Sequence, residues 1–99
     1  MMNFVKVCKA LADQTRVDIL KKIREMGEIS CGKITELFPL SQPTISYHLK
    51  ILQDAGLLKV RKAAQYSYYS INETVFRECI DYLQQHLLET DSLASTSDK

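Results

Sequence analysis

The stretch LSQPTISYHLKIL, residues 40–52, predicts a helix with one apolar face. Ser41 is a favourable N-cap, because its side chain can accept a hydrogen bond from the first turn. Pro43 fits that turn, where the missing N–H of proline would have no helical partner in any case. Apolar side chains then recur at the spacing i, i+4, i+7, which places them on one side of the helix, towards a core. They are Ile45, Leu49 and Leu52.

The other side of this helix is polar. It carries Ser46, Tyr47, Lys50 and Gln53, with Ser41, Gln42 and Thr44 at the helix start. Such a surface suits the major groove of DNA, where side chains meet base edges and phosphates. An ordinary amphipathic surface helix is the alternative interpretation of the same pattern. His48 lies at the edge of the apolar face, where it either packs or contacts phosphate.

Another short helix is predicted just before this one. Ser30 is its N-cap, and it ends near Leu37, because the residue before Pro39 avoids helical geometry. A connection of about four residues then leads to Ser41, so the two helices form a helix-turn-helix. The predicted core residues of the earlier helix are Ile34, Leu37 and Phe38.

A hairpin is predicted after the second helix. Gly56 is placed to end that helix in a left-handed conformation. Residues 57–62 and 66–71 then alternate apolar and polar side chains, as two paired strands do. The turn between them is Ala63-Ala64-Gln65, and two-residue hairpin turns need a positive φ that alanine resists. We therefore expect a longer or looser loop.

The remaining sequence predicts three further helices. The first runs from about Asn3 to Ala12. Asp13 caps the next, which Gly27 ends, and Asn72 caps the last, over residues 73–88. The second helix turns Val17, Leu20, Ile23 and Met26 inward. Residues 91–99 are polar and without periodicity, so we expect one folded domain over residues 1–90 and a disordered tail over residues 91–99.

Positive charge is concentrated in one part of the chain, although the formal net charge is only +1. Between residues 41 and 66 the basic residues are Lys50, Lys59, Arg61 and Lys62, and the only acidic residue is Asp54. A local basic patch on a nearly neutral protein fits phosphate binding at one surface. A solvated, lysine-rich edge strand is the alternative.

Three motifs together resemble a known family. KALADQTR (residues 9–16), LSQPTISYHLKILQDAGLL (40–58) and YSYYSIN (66–72) occur in the order found in the ArsR/SmtB group of bacterial winged-helix repressors. The resemblance covers residues 4–88. It implies a mainly α fold with a small β-hairpin, a winged helix-turn-helix of four helices, a hairpin and a fifth helix. It also implies a homodimer that binds operator DNA and releases it when an effector, often a metal ion, binds.

On this basis we expect a transcriptional repressor whose partner is double-stranded DNA with a palindromic operator. The expected DNA contacts are Ser41, Gln42, Thr44, Ser46, Tyr47, His48, Lys50, Arg61, Lys62 and Gln65. A winged helix used as a protein-interaction module is an alternative. That function would favour an apolar outer face on the helix over residues 42–55. On this face only Tyr47 suits both a DNA contact and a protein contact.

The last helix has two adjacent apolar stripes, and one of them suffices for a monomer core. The first stripe is Phe76, Ile80, Leu83 and Leu87, and the second is Val75, Cys79 and Tyr82. The resemblance implies dimerisation through the first and last helices, at Phe4, Cys8, Cys79, Tyr82 and Leu83. A single broad buried face is the alternative.

Several positions at which the resemblance places metal ligands hold residues that cannot bind a metal ion well. At the start of the third helix, Ser30, Gly32 and Lys33 stand where metal-sensing members have thiolates and a carboxylate, and they make no soft-metal site. The matching positions of the second family site are Glu73, Val75, His86 and Glu89. The valine side chain cannot bind a metal ion, and zinc sites of this kind need four ligands. We therefore expect no metal or other cofactor, with Glu73, His86 and Glu89 as weak candidates.

Cysteine chemistry offers another alternative, a thiol-redox-responsive repressor. Cys8 and Cys79 lie close together if the first and last helices pack. A sensor thiol needs a lowered pKa and access, whereas buried cysteines are usually small hydrophobic residues. Cys31, near a helix start, is open to the same two interpretations.

Other classes of protein have little support in the sequence. No catalytic Ser-His-Asp or Cys-His arrangement and no phosphate-binding glycine loop is suggested, so we expect no enzyme. No apolar run is long enough for a membrane span, and the N-terminus does not resemble a signal peptide. Three cysteines are an odd number without close pairing, which favours a reducing cytoplasm.

Overall fold

The structure is a winged helix-turn-helix. The computed structural model describes residues 2–88, so the predicted tail over residues 91–99 lies outside the described residues. In chain order the elements are α1 (Phe4–Leu11), α2 (Gln14–Met26), β1 (Ile29–Ser30), α3 (Cys31–Leu37), α4 (Gln42–Asp54), β2 (Leu58–Ala63), β3 (Tyr66–Ile71) and α5 (Glu73–His86). The predicted five helices and hairpin are confirmed, with boundaries that differ by at most two residues.

The predicted caps form where the sequence signals them. The side chains of Asp13, Ser30 and Ser41 accept hydrogen bonds from backbone N–H groups of the first turns of α2, α3 and α4. Gly27 and Gly56 follow α2 and α4 with positive φ of 85° and 83°, which glycine adopts without strain and which ends a helix. These local signals therefore fix both ends of α4.

The predicted cap of α5 is wrong. Asn72 occupies the N-cap position, but its side chain makes no cap hydrogen bond. Instead its Nδ2 donates to the Gly56 carbonyl at 3.0 Å, and its backbone N donates to the Leu57 carbonyl at 3.0 Å. Asn72 thus ties the start of α5 to the connection between α4 and β2, whose backbone carbonyls need donors.

A short strand that the sequence did not predict completes the sheet. In β1, Ile29 pairs with Tyr69 and Ser30 with Tyr68, so the antiparallel sheet has the order β1-β3-β2. Two residues are too few to show an alternating pattern. Because α3 begins directly after β1, this pairing fixes the helix-turn-helix against the central strand of the wing.

The core is a single cluster beneath α4, where the three predicted inward residues are at most 1% exposed. Two predicted core residues are wrong, since Met26 is 48% and Leu37 43% exposed. Both lie in the last turn of their helices, past the point where the helix leaves the core. On α2 the fully buried side chains are Ile19 and Ile23, while Val17 is only half-buried.

The turn of the wing is tight, so the predicted longer or looser loop is wrong. The β2–β3 register runs without interruption to the pair Ala63–Tyr66, which leaves a two-residue turn of Ala64 and Gln65. Ala64 adopts the required positive φ, at 55°. An L-residue pays about 1 kcal/mol for this conformation, and the paired strands on either side supply enough free energy to impose it.

Replacing Ala64 by glycine should stabilise the fold. Glycine adopts positive φ without strain, and its greater freedom in the unfolded chain offsets part of that gain. We expect about 0.5–1 kcal/mol and a rise of the unfolding midpoint by about 2–6 °C. Thermal unfolding followed by circular dichroism at one protein concentration measures this. Ala63→Gly, inside β2, is the matched control and should lower the midpoint; a fall of equal size for Ala64→Gly would contradict the assigned turn.

Candidate nucleic-acid interface

The solvent side of α4 carries the polar face that the sequence predicts. Tyr47 is 61% exposed, and Lys50 and Gln53 are also exposed. Gln42 and Ser41 lie exposed at the N-terminal end of the helix, while Thr44 is half-buried and its Oγ1 lies 2.9 Å from the Ser41 Oγ. Backbone N–H groups and small polar side chains thus share one end of α4, an arrangement suited to an anion.

Ser46 belongs to a small polar network at the junction of α3 and α4. Gln42 Nε2 donates to the Ser46 Oγ at 2.7 Å, and both side chains lie 3.6 Å from the Cys31 Sγ. Ser46 is therefore half-buried rather than fully outward. Across a cleft from this network, burial raises the pKa of the Tyr69 hydroxyl on β3, with a smaller contribution from Cys31.

His48 packs inward and is held by an arginine that the sequence analysis did not single out. Arg16 Nη1 lies 3.2 Å from His48 Nδ1, which must accept because a guanidinium only donates. The same guanidinium donates to the carbonyls of Ala10 at 2.7 Å and Lys9 at 3.3 Å. Arg16 therefore joins the C-terminal end of α1 to the middle of α4, and it belongs to the KALADQTR motif that could have indicated it.

The two basic residues at the end of β2 lie on opposite faces of the hairpin, because successive strand side chains alternate. Lys62 pairs with Ser67, which borders the cleft shared with Gln42 and Ser46, so Lys62 lies on the face turned towards α4. Arg61 lies on the other face. Gln65 is exposed at the turn.

Arg61 is engaged within the protein. Its Nε and Nη2 donate to the two Glu28 carboxylate oxygens at 3.0 and 2.9 Å, and its guanidinium lies 4.8 Å from the centre of the Tyr68 ring. The hydrogen bond from Arg61 lowers the pKa of Glu28 and in turn raises that of Arg61. Glu28 stands outside the basic segment, so sequence proximity gave no sign of this pair.

The unbalanced positive charge of the interface is therefore smaller than the sequence count suggests. Lys50 also has a partner, since its Nζ lies 3.2 Å from Asp54. Lys59 and Lys62 make no salt bridge with any residue in the range 2–88. Lys62 is thus the wing cation that is both unpaired in this range and turned towards α4.

Helix α5 leaves much of its apolar surface uncovered. It has no buried residue, and Ile80, Leu83 and Leu87 are 54%, 38% and 63% exposed. Tyr82 stacks on Phe4 of α1, with ring centres 4.3 Å apart. The alternative of a single broad buried face is therefore not found in one protomer, and α1 and α5 both leave apolar and aromatic side chains exposed.

Comparisons with known proteins decide the family. The model described as bacterial regulatory protein, arsR family, matches residues 13–60. The transcriptional repressor SdpR of Bacillus subtilis is 36% identical over 86 residues, which span 87% of this chain and 94% of that protein. The chain belongs to the arsR family of bacterial regulatory proteins.

Solved structures agree with this membership. An ArsR-like transcriptional regulator from Rhodococcus superposes with a TM-score of 0.80 at 26% identity, covering 91% of this chain and 84% of that one. A homodimeric winged helix-turn-helix DNA-binding domain of a possible ArsR-family regulator from Mycobacterium bovis gives 0.68 at 27%, covering 92% and 81%. This arsR-family chain is a DNA-binding transcriptional regulator and not an enzyme, as the sequence motifs predicted.

Cys8 on α1 and Cys79 on α5 are the two thiols of this arsR-family chain that the redox alternative would use. Burial raises the pKa of Cys79, and the nearby Cys8 thiol adds to the shift. Helices α1 and α5 pack against each other, and the Cys8 thiol is close enough to Cys79 to contribute to this shift. A raised pKa leaves less of Cys79 in the reactive thiolate form at neutral pH, which does not favour this residue as a sensor thiol.

The weak metal candidates are not brought together within one protomer. Glu73 and His86 lie at opposite ends of α5, about 20 Å apart along the helix. Glu89 lies outside the described residues. Among residues 2–88, no cluster of three or more His, Cys, Asp or Glu side chains could hold a metal ion.

One further structural observation concerns membranes. Within the described part of the chain, no helix combines the length and the apolar character that crossing a bilayer requires.

Proposed function

We propose that this protein is a cytoplasmic, homodimeric transcriptional repressor that reads a palindromic operator with the α4 helix of each subunit. The observation that carries the proposal is the division of α4 into a fully buried apolar side and an exposed polar side led by Tyr47. A helix buried on one side and polar on the other can enter a groove without losing its support.

Each part of the interface has a distinct role in this proposal. The N-terminal end of α4, with Ser41, Gln42 and Thr44, holds phosphate. Ser46 and Tyr47 meet base edges, and the tyrosine ring suits a thymine methyl group. Lys50 and Lys62 add charge that does not depend on sequence. His48 acts indirectly, because it fixes α4 against Arg16.

Dimerisation is supported by the exposed apolar surface of α1 and α5. It includes Phe4, Tyr82 and Leu83, and Cys8 and Cys79 lie on the same two helices. A monomer would leave this surface in water, whereas a two-fold partner would cover it. The homodimeric relative from Mycobacterium bovis has the same fold.

The test is capture of DNA. Purified protein is mixed at low salt with sheared genomic DNA of the source organism, and the retained fragments are sequenced. We expect enrichment of an inverted repeat whose half-sites are centred about 10–10.5 base pairs apart. A protein-interaction module would retain no specific fragment, which would contradict the proposal.

Two variants show which surface is responsible. Tyr47→Ala should lose the enrichment, because it alters the exposed centre of α4. Lys22→Ala is the matched control, since Lys22 lies on α2 and pairs with Glu25 at 2.7 Å, and it should behave as the wild type.

A further inference from the structure

A groove between α2 and α5 forms a cavity with a volume of about 470 Å³. One wall is the face of α2 formed by residues 17, 20, 21 and 24, and the other is the face of α5 formed by residues 73, 76, 77 and 80. Both sets follow helical spacing. The volume lies in the range of small-molecule sites, about 300–1,000 Å³.

The floor of the groove is apolar. Its apolar lining residues are Leu11, Val17, Leu20, Ile71, Phe76 and Ile80. Phe76 is half-buried and Ile80 is 54% exposed, so the floor is open to a ligand. Removing such a surface from water favours a ligand with an alkyl or aryl body.

The rim of the groove is cationic. Lys21 and Arg24 are both exposed, and neither makes a salt bridge with any residue of the range 2–88. Arg77, on the opposite rim, is paired with Glu73 at 3.5 Å. Two positive charges are thus left beside an apolar floor.

We propose that this groove binds an amphipathic carboxylate, with its apolar body on the floor and its anionic group between Lys21 and Arg24. A second copy of the chain is the competing occupant, and the test below includes it as an outcome. In a carboxylate with a hydrocarbon chain, the chain suits the apolar floor and the carboxylate suits the cationic rim.

The position of the groove connects it to DNA binding, a consequence that rests on the proposed function. Helix α2 packs against both α4 and β3, while α5 carries the proposed dimer surface. A ligand between α2 and α5 therefore lies between the recognition helix and the partner subunit. If it binds the DNA-free arrangement more tightly than the DNA-bound one, it acts as an inducer.

The test uses sodium decanoate, which is ionised at neutral pH, and decanol as its neutral counterpart. Binding to the full chain is measured by calorimetry without DNA. We expect saturable decanoate binding, weakened about tenfold in a Lys21→Ala, Arg24→Ala double variant because two charge interactions are lost. Decanol should bind equally to wild type and double variant.

Two single variants serve as controls. Lys22→Ala removes a cation from the same helix outside the groove and should bind decanoate within about twofold of wild type. Val17→Thr keeps the side-chain shape but makes the floor polar, and it should weaken both probes. Exposed lysine and arginine tolerate alanine in a helix, so thermal unfolding should show the double variant folded.

Several outcomes would overturn the proposal. They are the absence of saturable decanoate binding, equal effects of the double variant on decanoate and decanol, or decanoate binding only to a monomeric variant such as Leu83→Glu. The last would mean that the partner fills the groove. Because these measurements contain no DNA, their failure leaves the DNA capture experiment to judge the proposed function separately.

Discussion

Replacing Leu83 by glutamate should convert the protein to monomers and remove specific DNA binding. Leu83 lies in the exposed apolar row of α5, beside Tyr82 and its stacking partner Phe4. An unpaired carboxylate in a desolvated interface costs several kcal/mol, so the dimer dissociation constant should rise on the order of 100-fold or more. Operator affinity should fall with it, because two linked half-site contacts become independent.

Sedimentation velocity at micromolar concentration and operator titration measure the two effects on the same samples. Gln85→Glu is the matched control, because it adds the same charge to α5 two residues on, about 200° around the helix from Leu83. It should remain dimeric. A wild-type monomer at micromolar concentration, or a Leu83→Glu dimer, would contradict the assigned interface.

Substitutions in the wing and in α4 should change DNA binding in different ways. Lys62→Ala should weaken binding to operator and random DNA alike and flatten the salt dependence, by about one phosphate per subunit. Tyr47→Ala or Ser46→Ala should instead reduce the difference in binding free energy between operator and random DNA, by roughly 1–3 kcal/mol per half-site. The physical reason is that phosphate contacts carry no sequence information, whereas base-edge contacts do.

Arg61→Ala is the matched control for the wing. Arg61 adjoins Lys62 but lies on the other face of the hairpin and is held by Glu28. Its removal should therefore flatten the salt slope less than Lys62→Ala does. Titrations of operator and random DNA duplexes at several salt concentrations measure these effects. If Lys62→Ala altered sequence preference while the α4 variants left it intact, the assigned roles would be wrong.

Local signals in the sequence predicted most of the fold. The caps at Asp13, Ser30 and Ser41 and the glycine stop at Gly56 depend on residues within one helical turn, and all four form. The inward and outward faces of α4 follow from helical period alone. The family motifs additionally predicted the order of the elements and the presence of the wing.

Contacts between distant residues were not predictable in the same way. Strand β1 exists because β3 offers it a partner, and Arg16 meets His48 across 32 positions of sequence. The pair of Arg61 and Glu28 spans 33 positions. At Ala64 the local preference of alanine was known but the strand pairing overrode it. For the candidate site, residue types pointed to α4 and the wing, while the pairing of Arg61 with Glu28 and the contact of His48 with Arg16 required the structure.

The most direct test of the account is protection of guanine N7 from dimethyl sulfate on a captured operator fragment. N7 lies in the major groove, where α4 is proposed to bind. The account predicts two protected major-groove patches, centred about one helical turn apart, in the wild-type complex. Uniform guanine reactivity along a fragment that the protein demonstrably occupies would contradict the claim that α4 reads the major groove.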